Sequence, residues 1–234
     1  MKTDPIPMVP GPVMVPEAIR RVYLEPYGSG DQETEFVELY TRTQRRLKAI
    51  FGTRDDIVIQ SGEGMLALWS ALKSCLVPSD RVLAVATGVF GYGIGEMAQS
   101  IGADVKIVGF SYDETINDMA RIEAAIAEFK PRMITAVHCE TPSGTLNPLE
   151  ELGRLKHAYR VPRFYVDTVA GAGGVPVLAD DWHIDLCLGG SQKCLSAPPD
   201  MSFLSVSPRA WEIIDAVGYV GYDALKPFQH AVKK

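Results

Sequence analysis

The sequence predicts an α/β fold, a mostly parallel sheet with helices on both faces. Two observations carry that expectation. From residue 57 onward, short apolar runs alternate with amphipathic stretches, the rhythm of strands joined by crossover helices. The chain has 234 residues, 47% of them apolar and 22% charged, enough for a sizeable core in one generous domain or a domain and a half.

The first 16 residues hold five prolines, too many for a helix or a central strand, and read as an extended arm lying on another surface, such as a second subunit. Residues 17–234 form the main domain. A helix is expected from Asp31 to Phe51, where Phe36, Leu39, Tyr40, Leu47 and Ile50 recur at three- and four-residue steps, with Gly52 as its stop. Strands follow at Ile57–Ile59, Val82–Ala86, Val105–Val108, Met133–His138, Phe164–Val166 and Ile184–Leu188. The intervening helices run near Gly64–Leu76, Tyr92–Ile101, Asp118–Phe129 and Leu149–Tyr159. Met201–Ser207 is a further apolar run, Pro208–Val217 a short helix, and the polar ending from Gly221 shows no terminating element.

Composition narrows the function. A net charge of −6 lacks the basic face that a nucleic-acid partner requires. No apolar run approaches the roughly 18 residues needed to cross a bilayer, and the proline-broken start is unlike a signal peptide. Cys75, Cys139, Cys187 and Cys194 form no CxxC pair and read as reduced thiols of a cytoplasmic protein. The four scattered histidines give no metal-ligand spacing.

In parallel sheets chemistry gathers beyond the carboxyl ends of the strands. Lys193 follows an apolar run and two glycines; a lone lysine is usually solvated, but one walled by apolar residues can act through a lowered pKa. Asp167 closes a strand at the same expected edge. It is open to helix capping, metal ligation or pairing with a cationic ring nitrogen, and Val169–Gly174 is a poor helix start. A lysine and an aspartate so placed fit pyridoxal phosphate, with the amine on the aldehyde carbon and the carboxylate on the ring nitrogen. Ser61-Gly62-Glu63-Gly64 opens a helix and offers a weak phosphate signal, with Glu63 awkward inside it. Phe90 could stack on a flat ring or fill the core, and Thr141 could donate to the cofactor's ring hydroxyl. Gly93-Ile94-Gly95-Glu96-Met97-Ala98 matches a dinucleotide fingerprint but starts too far beyond its strand to serve as one.

Together, Val9-Pro10-Gly11-Pro12, Gly62–Gly64, Gly88–Gly91, Glu140–Gly144, Val166–Val169, Ser191–Lys193 and Ala197–Pro199 resemble class V aminotransferases. The likeness is to the alanine–glyoxylate (serine–pyruvate) branch and the related pyridoxamine–pyruvate transaminase. It implies the large domain of the fold type I transferases dependent on pyridoxal phosphate, with Lys193 as Schiff-base lysine and Asp167 at the pyridine nitrogen. It implies Phe90 on the ring, Thr141 near the ring hydroxyl, and Glu63, Gly64, Met65 and Gln192 around the phosphate. The implied reaction moves an amino group from a small amino acid to glyoxylate or pyruvate in a homodimer. Glu63 and Met65 stand where the family usually has polar, phosphate-binding residues, and the pyridoxamine–pyruvate enzyme shares the glutamate; unphosphorylated pyridoxal or pyridoxamine is the alternative substrate. The family's chains are longer, with a C-terminal domain carrying the substrate-carboxylate arginine, so a catalytically incomplete cofactor-binding fragment is a further alternative. Desulfurase chemistry through Cys194 ranks lower, since its turn would hold the thiol in place.

Overall fold

The computed structural model describes residues 10–26, 28, 30, 33–229 and 231. Two helices, α1 (Glu17–Val22) and α2 (Thr34–Phe51), precede β1 (Asp56–Ser61), α3 (Gly64–Cys75), β2 (Arg81–Ala86), α4 (Val89–Ser100) and β3 (Asp104–Gly109). Then come α5 (Met119–Phe129), β4 (Met133–Val137), α6 (Leu149–Ala158), β5 (Arg163–Asp167), β6 (Leu186–Gly190), β7 (Met201–Val206) and α7 (Pro208–Val217).

The strands make one seven-stranded sheet in the order β1-β7-β6-β5-β4-β2-β3. β2, β3, β4, β5 and β6 pair in parallel, while β7 runs antiparallel to both of its neighbours, β1 and β6. The expected mostly parallel sheet is therefore present, with β7 as the reversed strand. The carboxyl ends of β1, β2, β4, β5 and β6 consequently share one edge.

Adjacent strand residues divide between two cores. Ile57, Leu83, Ile134 and Phe164 pack on one face with Phe51, Ile122 and Phe203. Val58, Val82, Met133 and Tyr165 pack on the other with Leu68, Leu72, Ile94 and Trp211. Burial on both faces is why these strands read as continuous apolar runs rather than alternating ones.

Charge is treated differently at the sheet's two edges. At the amino edge, buried Arg163 donates to Asp80 Oδ2 at 3.1 Å and to the carbonyls of Arg132 (3.1 Å) and Cys75. Lys156 meets Asp185 at 2.7 Å, and Asp185 also accepts from Phe164 N (2.7 Å) and Ser207 Oγ (3.1 Å). Such buried charges persist because each has a partner.

Several boundaries differ from the sequence expectation. The arm expectation for residues 1–9 and the start of the 31–51 helix at Asp31 and Gln32 lie outside the described residues; α2 itself begins at Thr34. The short helix α1 was not anticipated; Arg21 reaches Glu17 one turn back at 2.6 Å. α4 starts at Val89 instead of Tyr92, because a distant carboxylate holds its first N–H groups. β6 begins at Leu186 because Asp185 is committed to the amino-edge ion pair. The ending is not featureless either: buried Leu225 donates its N–H to Ser74 Oγ (3.1 Å) just before a 3₁₀ turn at Lys226–Phe228.

Candidate active site

Five loops at the carboxyl edge converge on one cavity of about 160 Å³. The residues assigned to the cofactor from the sequence line it: Lys193, Asp167, Phe90, Thr141, Gln192, and Glu63, Gly64 and Met65 at the start of α3. Pro12, Leu68 and Val169 complete the wall. Parallel pairing of β4, β5 and β6 explains the meeting of Thr141, Asp167 and Lys193, residues distant in sequence but set beyond neighbouring strand ends.

Asp167 is the last residue of β5 and is 4% exposed. One of its oxygens, Oδ1, accepts from Val169 N at 2.8 Å. Burial pushes its pKa up to about 7; the Val169 N–H and Lys193 pull it down, while Glu140 and Glu63 push it up. Lys193 is buried too, and burial lowers its pKa, an effect that Asp167 and Glu63 partly offset. Its ammonium donates to the carbonyl of Gly11 at 2.9 Å, while Val13 N bonds Gln192 O at 3.1 Å. The described part of the proline-rich segment thus lies across the lysine of its own chain.

The α3 end of the cavity is mixed in character. Glu63, the residue before the helix, gives no side-chain cap to α3, whose first turn faces the cavity. Its carboxylate instead accepts from Gln192 Nε2 at 2.9 Å, leaving the buried Gln192 Oε1 without a hydrogen-bond partner among the described residues. Gly64 is needed there: a Cβ would lie 2.9 Å from both methyls of Val169.

Glu140, in the loop after β4, has a role that its own sequence context does not signal. It is fully buried, and its carboxylate accepts from Gly91 N at 2.7 Å and Phe90 N at 3.2 Å. Gly88 and Gly91 make the space; a Cβ on Gly88 would lie 2.8 Å from Glu140 Cδ. Glycines three apart at a strand–helix junction were the available signal. Gly93 and Gly95 of the dinucleotide-like motif lie inside α4, away from any phosphate-binding turn. Cys194 Sγ bonds the carbonyl of Ala170 at 3.2 Å, which fixes it in its turn. Among the described residues, no cluster of three or more His, Cys, Asp or Glu could hold a metal ion, and no helix is long and apolar enough to cross a membrane.

The family model for class V aminotransferases matches residues 11–223. The chain belongs to that family. Within the class V aminotransferases it is 35% identical over 231 residues to an uncharacterized aminotransferase of Methanocaldococcus jannaschii, covering 94% of this chain and 58% of the relative. The crystal structure of ureidoglycine–glyoxylate aminotransferase from Bacillus subtilis superposes with a TM-score of 0.91 at 30% identity, covering 100% of this chain and 61% of that one. Pyridoxamine–pyruvate aminotransferase from Mesorhizobium loti gives 0.89 at 28% identity, covering 98% and 59%. The class V chain described here therefore spans about three-fifths of the length of these relatives, and its sheet is that of the fold type I large domain.

The family depends on pyridoxal phosphate, and the cavity has the chemistry to accept it. Asp167 faces one ammonium but two other carboxylates, so a protonated ring nitrogen would supply the missing positive charge. Gly64 and Met65 bring the first turn of α3, with its free N–H groups, to the wall of the same cavity, where a phosphate could be met.

Proposed function

We propose that this chain is the cofactor-binding part of an aminotransferase that moves an amino group from a small, alanine- or serine-like amino acid to glyoxylate or pyruvate. Residues 17–234 would form the cofactor domain and residues 1–16 its arm, in a cytoplasmic homodimer; four cysteines present as thiols suit that compartment. The observation that supports this most is that Lys193 and Asp167 line the same cavity, each with its pKa displaced by burial.

When bound, pyridoxal phosphate supplies an aldehyde that captures amines and a ring that accepts the electron pair released at the donor carbon. Lys193 Nζ would hold the aldehyde carbon and, once displaced by the donor amine, carry a proton between donor carbon and cofactor. Its lowered pKa keeps more of the amine neutral for both tasks. The free oxygen of Asp167 would keep the ring nitrogen protonated. Phe90 would stack on the ring, Thr141 would donate to the ring hydroxyl, and Gln192 with the first N–H groups of α3 would meet the phosphate.

The test is chemical. Adding pyridoxal phosphate to the 234-residue chain is expected to produce a visible absorption band, and borohydride should then fix the cofactor to the peptide containing Lys193. Lys193→Ala should lose both signals, and their retention would remove the assignment. A second reading, that the natural ligand is the unphosphorylated vitamer, is favoured by the Glu63 carboxylate held at the phosphate end by Gln192. Faster turnover of pyridoxamine with pyruvate than of alanine with glyoxylate would support it.

A further inference from the structure

We infer that Glu140 is a positioning residue that sets the Phe90 ring against the cofactor; this rests on the reading of the cavity as a vitamin B6 site. Phe90 is the second residue of α4, and nothing in its own loop caps that helix: Gly88 precedes it and offers no side chain. The first N–H groups of a helix need acceptors, and when buried they are costly to leave unpaired. Here the acceptor comes from another strand. Glu140 lies just beyond β4, beside β2, and its two oxygens take the N–H of Gly91 (2.7 Å) and of Phe90 itself (3.2 Å).

The carboxylate's own position is set by its main chain. Glu140 N bonds Thr145 O at 2.9 Å, Gly144 N bonds Glu140 O at 2.8 Å, and the loop is closed before the side chain acts. An anion at the amino end of a twelve-residue helix also meets the positive end of its dipole. Gly88 and Gly91 are both required, since a Cβ on Gly88 would lie 2.8 Å from Glu140 Cδ and one on Gly91 would lie 3.2 Å from Glu140 Oε1 and 2.8 Å from Ala86 Cα. The arrangement therefore clamps the backbone of one partly buried residue that packs against the core and lines the cavity wall. Burial raises the pKa of Glu140 while the two N–H groups lower it, so its charge is tied to the contact it makes.

The experiment measures pyridoxal phosphate affinity of the full 234-residue chain for wild type, Glu140→Ala, Phe90→Ala and the double variant, with amide hydrogen exchange at residues 90 and 91. Glu140→Ala is expected to weaken binding roughly tenfold and to speed exchange at Phe90 and Gly91 while β2 stays protected. Because the side chain works through Phe90, the loss should be at least threefold smaller in the Phe90→Ala background; what remains there reports the charge effect of Glu140 on Asp167. Glu140→Gln, which keeps one acceptor oxygen, should fall between and serves if the alanine variant does not fold. Equal losses in both backgrounds, or unchanged affinity, would overturn the positioning role alone. A wild-type chain that takes up no cofactor would overturn the vitamin B6 reading and this inference with it.

Discussion

Gly11 holds Lys193: its carbonyl accepts the ammonium at 2.9 Å, and its α-carbon stands so close that a Cβ would lie 2.7 Å from Lys193 Cδ. Gly11 also has φ +130°, a backbone region that L side chains rarely enter. Gly11→Ala is expected to push the arm off the lysine, at a stability cost of about 1–3 kcal/mol. Lys193, released from its acceptor, should react several-fold faster with an aldehyde probe, followed by borohydride trapping and peptide mass spectrometry. Unchanged reactivity with lowered stability would separate the strain from any guarding of the amine.

That contact also marks where sequence reading stops. Lys193 and Asp167 were legible because each follows an apolar strand-like run, and parallel strands present such ends at one edge. Glu63 came from the same logic, in the turn after β1, whereas Met65 was indicated only by the resemblance to the family. Glu140 was not legible in its role, since β4 lies beside β2 only because the chain places β3 outside them, an order that strand succession does not encode. The early start of α4 was hidden for the same reason, its cap being 49 and 50 residues away. The reversal of β7 left no trace either, because a strand buried on both faces over most of its length reads alike in either direction.

Asp167 predicts an unusual pH dependence for the cofactor-free chain. Its carboxyl has a folded pKa of about 7 against an ordinary value of 3.8. Between those limits the folded state keeps a proton that the unfolded chain has released, so this group's contribution falls as pH rises and its cost is complete above about pH 7. Asp167→Asn retains the Oδ1 acceptor for Val169 N and removes the charge. The variant should be more stable than wild type by roughly 2–4 kcal/mol at pH 8 and nearly equal to it at pH 4. Urea denaturation at the two pH values reads this directly. A bound B6 ring should reverse the order, because the carboxylate then has its partner.

His138 gives the opposite slope. It is 3% exposed, its Nδ1 has no hydrogen-bond partner among the described residues, its ring meets the edge of Trp182, and burial lowers its pKa to about 4. The unfolded histidine takes up a proton near pH 6.5 while the folded one resists until about pH 4. Its stabilising contribution is therefore full above pH 6.5 and declines as pH falls toward 4, by up to about 3 kcal/mol. Replacement by a non-titrating residue should flatten that part of the stability profile, whatever its effect at neutral pH.

At the amino edge, Asp185 satisfies three donors from the interior: the Lys156 ammonium, Phe164 N and Ser207 Oγ. Asp185→Ala would strand a buried ammonium and two further polar groups, and should cost about 3–5 kcal/mol. Replacing both members, as Lys156→Met with Asp185→Leu, should recover part of that loss, which a double-mutant cycle in denaturant would quantify. Recovery would show that the single-variant penalty is the unpaired charge and not the missing attraction.

Glu63 bears on which form of the vitamin binds. Its carboxylate sits before the first turn of α3, bonded to Gln192 Nε2 at 2.9 Å, where a phosphate would otherwise meet the helix N-terminus and that amide. A fixed negative charge about 4 Å from a phosphate costs between roughly 1 and 4 kcal/mol in surroundings from water-like to partly buried. Glu63→Ser removes that repulsion, frees the Gln192 amide and adds a donor hydroxyl. The ratio of pyridoxal phosphate affinity to pyridoxal affinity should therefore rise by roughly tenfold or more, measured by titrating both vitamers into wild type and variant. If the ratio stays fixed while both affinities change together, Glu63 acts through the shape of the α3 turn and its charge does not select the vitamer.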